Sequence, residues 1–179
     1  MAQTLQNLDA SLLLAIQSLR LDWLDPLVEF YTTLGNAGAL WIVLSLILLC
    51  RKSTRKAGAA GLLALALGFV CTNVVLKHLV GRTRPWLDVP GLIPLVEEGD
   101  PNSFPSGHTT AALAAAVAWA RSLPRKWVGA LVVGAAVCMG LSRLYVGVHY
   151  PSDVLAGALV GAACGWIASR ILERFTGRN

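Results

Sequence analysis

The chain has 179 residues, of which 55% are hydrophobic and only 14% charged, and its mean hydropathy is +0.61. Soluble domains usually carry about 25% charged residues, so an ordinary water-soluble globule is excluded, and the length suits one domain over 1–179. The formal net charge of +5 does not point to nucleic acid, because the basic residues fall between apolar runs rather than along one polar face.

Residues 5–21 mix Gln, Asn and Asp with leucines. That pattern predicts a helix lying at the membrane interface over 1–21 rather than a crossing. The N-terminus lacks the basic start and small-residue cleavage site of a secretory signal. The next apolar core is 37–50, which can extend back to Pro26, a good first helical residue, with Gly35-Asn36-Ala37-Gly38 as an interruption. Clear spans follow at 57–80, 127–144 and 152–172, against the roughly 20 apolar residues a crossing needs. A shorter, alanine-rich run opens at Pro105 and is long enough to cross if its helix begins at Ser106. The expected fold is all-α, an integral-membrane helical bundle of about five to six transmembrane helices. Gly157, Gly161 and Gly165 repeat every fourth residue in the last span and predict a smooth face for close helix packing. Cys50, Cys71, Cys138 and Cys164 lie in or beside apolar runs without CxxC spacing and read as free thiols.

Charge then sets the orientation. Arg51, Lys52, Arg55 and Lys56 fill one loop, Arg121, Arg125 and Lys126 another, and Arg170, Arg174 and Arg178 mark the end of the chain. Basic loops stay in the cytoplasm. The loop 86–104 carries Asp88, Glu97, Glu98 and Asp100 and no Lys or Arg, so it is expected on the opposite side. Its Leu92, Ile93, Leu95 and Val96 suit either a segment dipping into the interface or an ordinary partly buried loop.

Three polar stretches sit at span ends on that outer side: Lys77 to Arg84-Pro85, Pro105-Ser106-Gly107-His108, and Ser142-Arg143 to His149 and Asp153. Ionisable groups there are costly, so their clustering points to chemistry rather than to headgroup anchoring alone. Lys77, Arg84 and Arg143 form a set of phosphate-binding cations, arginine gripping two oxygens at once. Pro85 is expected to stop the helix that carries Lys77 and Arg84. Ser106 and Gly107 open a helix, where free N–H groups and the dipole favour an anion. Asp153 follows His149 by four residues and can take a proton from one imidazole nitrogen, leaving the other free to attack phosphorus. His108 on the opposing helix start suits a general acid for the leaving oxygen. Two histidines and a carboxylate also raise the possibility of a metal site, but there is no HExxH-like spacing, and three nearby cations would repel a divalent ion. No metal or other cofactor is expected. His78 fits no pattern and reads as an interfacial residue, while Asn73 and Ser142 read as supporting or packing groups.

Taken together, Lys77-x6-Arg84-Pro85, Pro105-Ser106-Gly107-His108 and Ser142-Arg143-x5-His149-x3-Asp153 resemble the three signature motifs of the type 2 phosphatidic acid phosphatase (PAP2) superfamily, over 77–153. The resemblance implies a metal-independent membrane hydrolase in which His149 attacks to form a phosphohistidine. It implies that Asp153 orients His149, that His108 protonates the leaving group, and that Lys77, Arg84, Ser106, Gly107, His108 and Arg143 hold the phosphate. Small bacterial members of the family act on lipid phosphates, so a cytoplasmic-membrane protein with an outward site is expected. Its expected partners are membrane lipids and a lipid phosphate substrate, foremost undecaprenyl diphosphate. Phosphatidylglycerophosphate, phosphatidic acid and a phosphotransferase activity are the alternatives.

Overall fold

A computed structural model of the chain describes residues 2–175 and Gly177. Arg178, one of the C-terminal basic residues in the orientation argument, lies outside the described residues. Within them the chain is helical, with one isolated bridge between Thr83 and Asn102 and no strand. The elements are α1 (Ala2–Ser18), α2 (Asp25–Leu34), α3 (Ala39–Leu49), α4 (Arg55–Phe69), α5 (Lys77–Val80), α6 (Pro85–Asp88), α7 (Gly107–Ser122), α8 (Lys126–Tyr145) and α9 (Pro151–Phe175).

Helix α7 is the axis of the bundle and packs against α4, α8 and α9. Ala112, Ala114, Ala115, Ala116 and Ala118 are fully buried, and Trp119 stacks on Trp41 of α3 with ring centroids 5.8 Å apart. The alanine content that makes this run weakly hydrophobic is what lets three helices close around it. The glycine repeat of α9 faces it, as expected. A Cβ at Gly161 would lie 2.5 Å from the Thr110 carbonyl oxygen, and one at Gly157 would lie 2.7 Å from that of Ser106. Backbone therefore meets backbone along this seam.

Among the described residues, three helical runs are long and apolar enough to cross a membrane: Arg55–Val80, α8 and α9. Helices α2 and α3, bent by 49° at the break between them, make a fourth if they form one broken span. The expected count of five to six is thus not reached. The difference lies mainly in α7, whose 16 residues rise only about 24 Å, short of a hydrocarbon core of about 30 Å. The α2–α3 break falls on the glycine-containing stretch anticipated for it, where Ala37 and Gly38 take positive φ of 51° and 71°.

Two local features shape the end of the bundle that carries Lys77 and Arg84. Between α4 and α5 the helix widens into a π-helical stretch, Val70–Leu76, which delivers Lys77 onto the last turn. The helix then ends at Val80 with Gly81 in the left-handed conformation, φ 58°. This corrects the expectation that Pro85 stops it: Arg84 is extended, and Pro85 opens α6 instead. The N-terminal segment covers this same end. Asp9 bonds to Arg82 and Ser152, Gln17 to Gly91 and Ile93, and Arg20 to Tyr145 and Ile93. Leu13 is fully buried beside Leu92, Val89 and Tyr150. The loop 86–104 is accordingly packed under α1, and of Leu92, Ile93, Leu95 and Val96 only Ile93, 66% exposed, projects outward.

Candidate active site

All eight residues singled out for the site lie at this one end of the bundle, in two layers. Lys77, Arg84, Gly107, His108 and His149 line a single cavity of about 560 Å3. An apolar wall runs between α3 and α4 through Ile42, Leu62, Leu65, Ala66 and Phe69, and Thr72, Asn73, Glu98 and Thr110 also line the cavity. Ser106, Arg143 and Asp153 do not line it.

Arg84 is 1% exposed and is held by backbone carbonyls, Nε donating to Asp100 at 2.9 Å and Nη1 to Val148 at 3.0 Å. A guanidinium only donates, so its 3.0 Å contact from Nη1 to His149 Nε2 makes that ring nitrogen an acceptor. His149 is therefore neutral with its hydrogen on Nδ1, which lies 3.6 Å from Asp153 Oδ2. Burial holds the His149 imidazole well below its ordinary pKa, and the charges of Arg84, Arg143, His108 and Lys77 act the same way. The neutral form that the expected chemistry needs is the one this pocket favours.

His108 sits on the first turn of α7 with Nε2 3.0 Å from Asn36 Oδ1, in the break between α2 and α3. An amide oxygen only accepts, so this nitrogen carries hydrogen. The approach requires Gly35, where a Cβ would come within 2.9 Å of His108 Cδ2. Ser106 caps α7, its hydroxyl accepting from the Thr109 amide at 3.4 Å and from the Thr109 hydroxyl at 2.9 Å. Its own N–H donates to the Asp153 carbonyl at 3.0 Å. The first-turn amides that this cap leaves available are therefore those of Gly107 and His108, while the Ser106 amide is engaged by the Asp153 carbonyl.

Two loop carboxylates neutralise the cations. Glu98 accepts from Arg143 Nη2 and lies 3.6 Å from Arg84 Nη2, and Lys77 pairs with Asp100. Burial alone would raise the Asp100 carboxyl, but Lys77, the Asn102 amide and Arg84 outweigh it and hold it below its ordinary value. Arg143, 1% exposed, also donates from Nη1 to Thr32 Oγ1 at 2.6 Å. It thus reaches the cavity through Glu98.

Behind His149, Asp153 is fully buried and accepts from the Tyr150 amide at 2.9 Å and from Arg82 Nη1 at 2.7 Å. Burial works against the Arg82 charge, yet Asp9 and Asp153 raise its pKa above the ordinary value. Sequence reasoning missed Arg82, Asp9, Asn36 and Glu98. Arg82 stands inside the spacer between Lys77 and Arg84, and Asp9 belongs to a segment read only as interfacial. The one available signal was an aspartate amid the apolar positions of that segment. His78 is exposed, and the Ser142 hydroxyl turns back to the Met139 carbonyl at 2.7 Å, a packing contact.

The sequence profile of the PAP2 superfamily matches residues 57–176. The chain belongs to the PAP2 superfamily. It is accordingly a phosphatase and a multi-pass membrane protein. An undecaprenyl-diphosphatase of Sulfolobus acidocaldarius is 32% identical over 148 residues, covering 83% of this chain and 70% of that protein. The crystal structure of a transmembrane PAP2-type phosphatidylglycerolphosphate phosphatase from Bacillus subtilis superposes with TM-score 0.80 at 29% identity. The match covers 96% of this chain and 87% of that one. Aquifex aeolicus LpxE gives TM-score 0.79 at 28% identity, covering 89% of this PAP2 chain and 93% of that structure.

Proposed function

We propose that this PAP2 protein removes phosphate from a membrane lipid through a phosphohistidine on His149, without a metal ion. The observation that carries the reading is the two-ended cavity. Lys77, Arg84, His108 and His149 line one end, and Ile42, Leu62, Ala66 and Phe69 line the other. A charged head group and an apolar tail match those ends.

Once Arg84 Nη1 turns from His149 Nε2 to the phosphate, that nitrogen attacks phosphorus as the bond to the leaving oxygen breaks. Asp153 Oδ2 faces the hydrogen on Nδ1 and stabilises the positive charge that develops on the ring. His108 in its imidazolium form gives a proton to the leaving oxygen, and the neutral ring then takes one from the water that displaces His149 from phosphorus. Lys77, Arg84 and the Gly107 and His108 amides balance the charge on the transferring oxygens, with Arg143 joining once Glu98 gives way and Ser106 fixing the helix cap. Product analysis with an added acceptor lipid separates this from phosphotransfer, in which little free phosphate would appear.

The orientation follows from the basic loops at 51–56 and 121–126, which favour the cytoplasmic side and leave the cavity end facing outward. We read α7 as a further crossing, shortened because protein surrounds it, and α1 as lying along the outer interface. The setting is a bacterial cytoplasmic membrane. Undecaprenyl diphosphate is the substrate this reading favours, supported by the Sulfolobus relative's function and by the outward site. The Bacillus subtilis neighbour keeps phosphatidylglycerophosphate as the alternative. Phosphate release from the two lipids in detergent, compared at matched concentration without added metal, tests the choice. A higher kcat/KM for phosphatidylglycerophosphate would reverse it.

A further inference from the structure

We infer that Arg82 is a positioning residue for the reaction. It holds Asp153 ionised and oriented towards His149 while being held itself by Asp9 of α1. The inference rests on the proposed role of His149.

Asp153 has two oxygens with different partners. Oδ1 takes a hydrogen bond from Arg82 Nη1 at 2.7 Å, while Oδ2 takes one from the Tyr150 amide and faces His149 Nδ1. With Oδ1 held by Arg82, Oδ2 is the oxygen turned to the imidazole, 3.6 Å from Nδ1. The carboxylate is fully buried, and Arg82 is the cation in direct contact with it. A buried carboxylate without a countercharge takes up a proton, and a protonated Asp153 could not stabilise the charge that develops on His149.

Arg82 is itself fixed on three sides. Nη2 donates to Asp9 Oδ2 at 2.8 Å, Nη1 also donates to Ser152 Oγ at 2.7 Å, and the guanidinium lies 3.8 Å from the centre of the Tyr150 ring. Asp9 is 3% exposed and accepts in turn from the Ser152 amide at 3.1 Å and from the Ser152 hydroxyl. One planar fork thus bridges two buried carboxylates, one from the N-terminal helix and one from the first turn of α9. A lysine ammonium keeps the charge but not that bridge. None of these contacts opens onto the cavity, so Arg82 acts through Asp153 rather than on the phosphate.

The test compares Arg82→Gln, Arg82→Lys, Asp153→Asn and the double variant Arg82→Gln/Asp153→Asn in detergent. Folding is checked by gel filtration and thermal unfolding. Arg82→Gln is expected to lower kcat about 10- to 100-fold, the worth of a hydrogen bond to a charged group, while KM stays within about three-fold. Arg82→Lys should recover part of the loss. The double variant should be no slower than Asp153→Asn alone, because Arg82 has nothing left to position. Wild-type kcat in Arg82→Gln, or its full loss multiplied onto that of Asp153→Asn, overturns the inference. If Arg82→Gln does not fold, Arg82→Lys decides, and wild-type kcat in that variant is contradictory. His149→Ala separates the two levels. Normal turnover there sinks the nucleophile assignment itself, whereas an inactive His149→Ala beside a fully active Arg82→Gln sinks only the role of Arg82.

Discussion

Glu98 engages two of the cations that the proposed mechanism assigns to phosphate. Its carboxylate accepts from Arg143 and lies 3.6 Å from Arg84, two guanidiniums each 1% exposed. A substrate phosphate must take those donors over, and each one that it wins is lost to Glu98. Replacing Glu98 by Gln keeps the shape and leaves an amide oxygen for Arg143, so the arginine is not stranded, but it removes the competing charge. A hydrogen bond to a charged group is worth about 1.5–3 kcal/mol, so binding of a phosphate-like anion should tighten by about 10- to 100-fold. The side chain is only 18% exposed, so solvent screening takes little from this figure. The assay is competitive inhibition of phosphate release by vanadate in detergent, wild type against Glu98→Gln, with KM measured alongside. An unchanged or weaker inhibition constant refutes the reasoning. It would mean that Glu98 holds the arginines in place rather than competing for them.

The pH profile follows from His149. Its charged form is disfavoured, chiefly by burial, so the ring stays neutral as pH falls through the ordinary imidazole value near 6.5. The acid limb of kcat/KM should therefore lie below about pH 6.5, and a limb at or above 6.5 contradicts the assignment. Exhaustive dialysis against EDTA should leave phosphate release unchanged, and loss restored by a divalent ion would reverse the metal-free reading. Gly161→Ala would set a methyl group 2.5 Å from the Thr110 carbonyl oxygen. Overpacking of this kind costs about 1–3 kcal/mol, so thermal unfolding in detergent should fall clearly below wild type. An unchanged midpoint would mean that the α7–α9 seam is looser than the geometry implies.

That the eight candidate residues would share one end of the bundle was legible because the ionisable groups among them stand out at the ends of apolar runs, and their spacings keep partners on the same helix end. His149 and Asp153, four apart across a helix start, are the clearest case. What escaped was whatever joins distant segments. Asp9 and Arg82 are 73 residues apart, Asn36 and His108 are 72 apart, and Glu98 and Arg143 are 45 apart. No local pattern links such pairs. The fold class was readable from composition, but the span count was not, since α7 is apolar enough to suggest a crossing and, at 16 residues, shorter than one. The end of the Lys77 helix was misjudged because Gly81 in the left-handed conformation stops it before Pro85 can. Ser106 was expected among the phosphate-holding residues of a helix start; in the structure its hydroxyl caps Thr109 and its amide meets the Asp153 carbonyl, a contact visible only once α9 is packed on α7.

The central claim is that His149 carries the phosphoryl group. Rapid-quench reaction with a lipid phosphate labelled on its terminal phosphate, worked up under alkali to preserve phosphohistidine, tests it most directly. The expected result is acid-labile, base-stable label on the wild-type chain within the first turnover, with no label and no phosphate release in His149→Ala. Full turnover in His149→Ala, or label on any other residue, would contradict it.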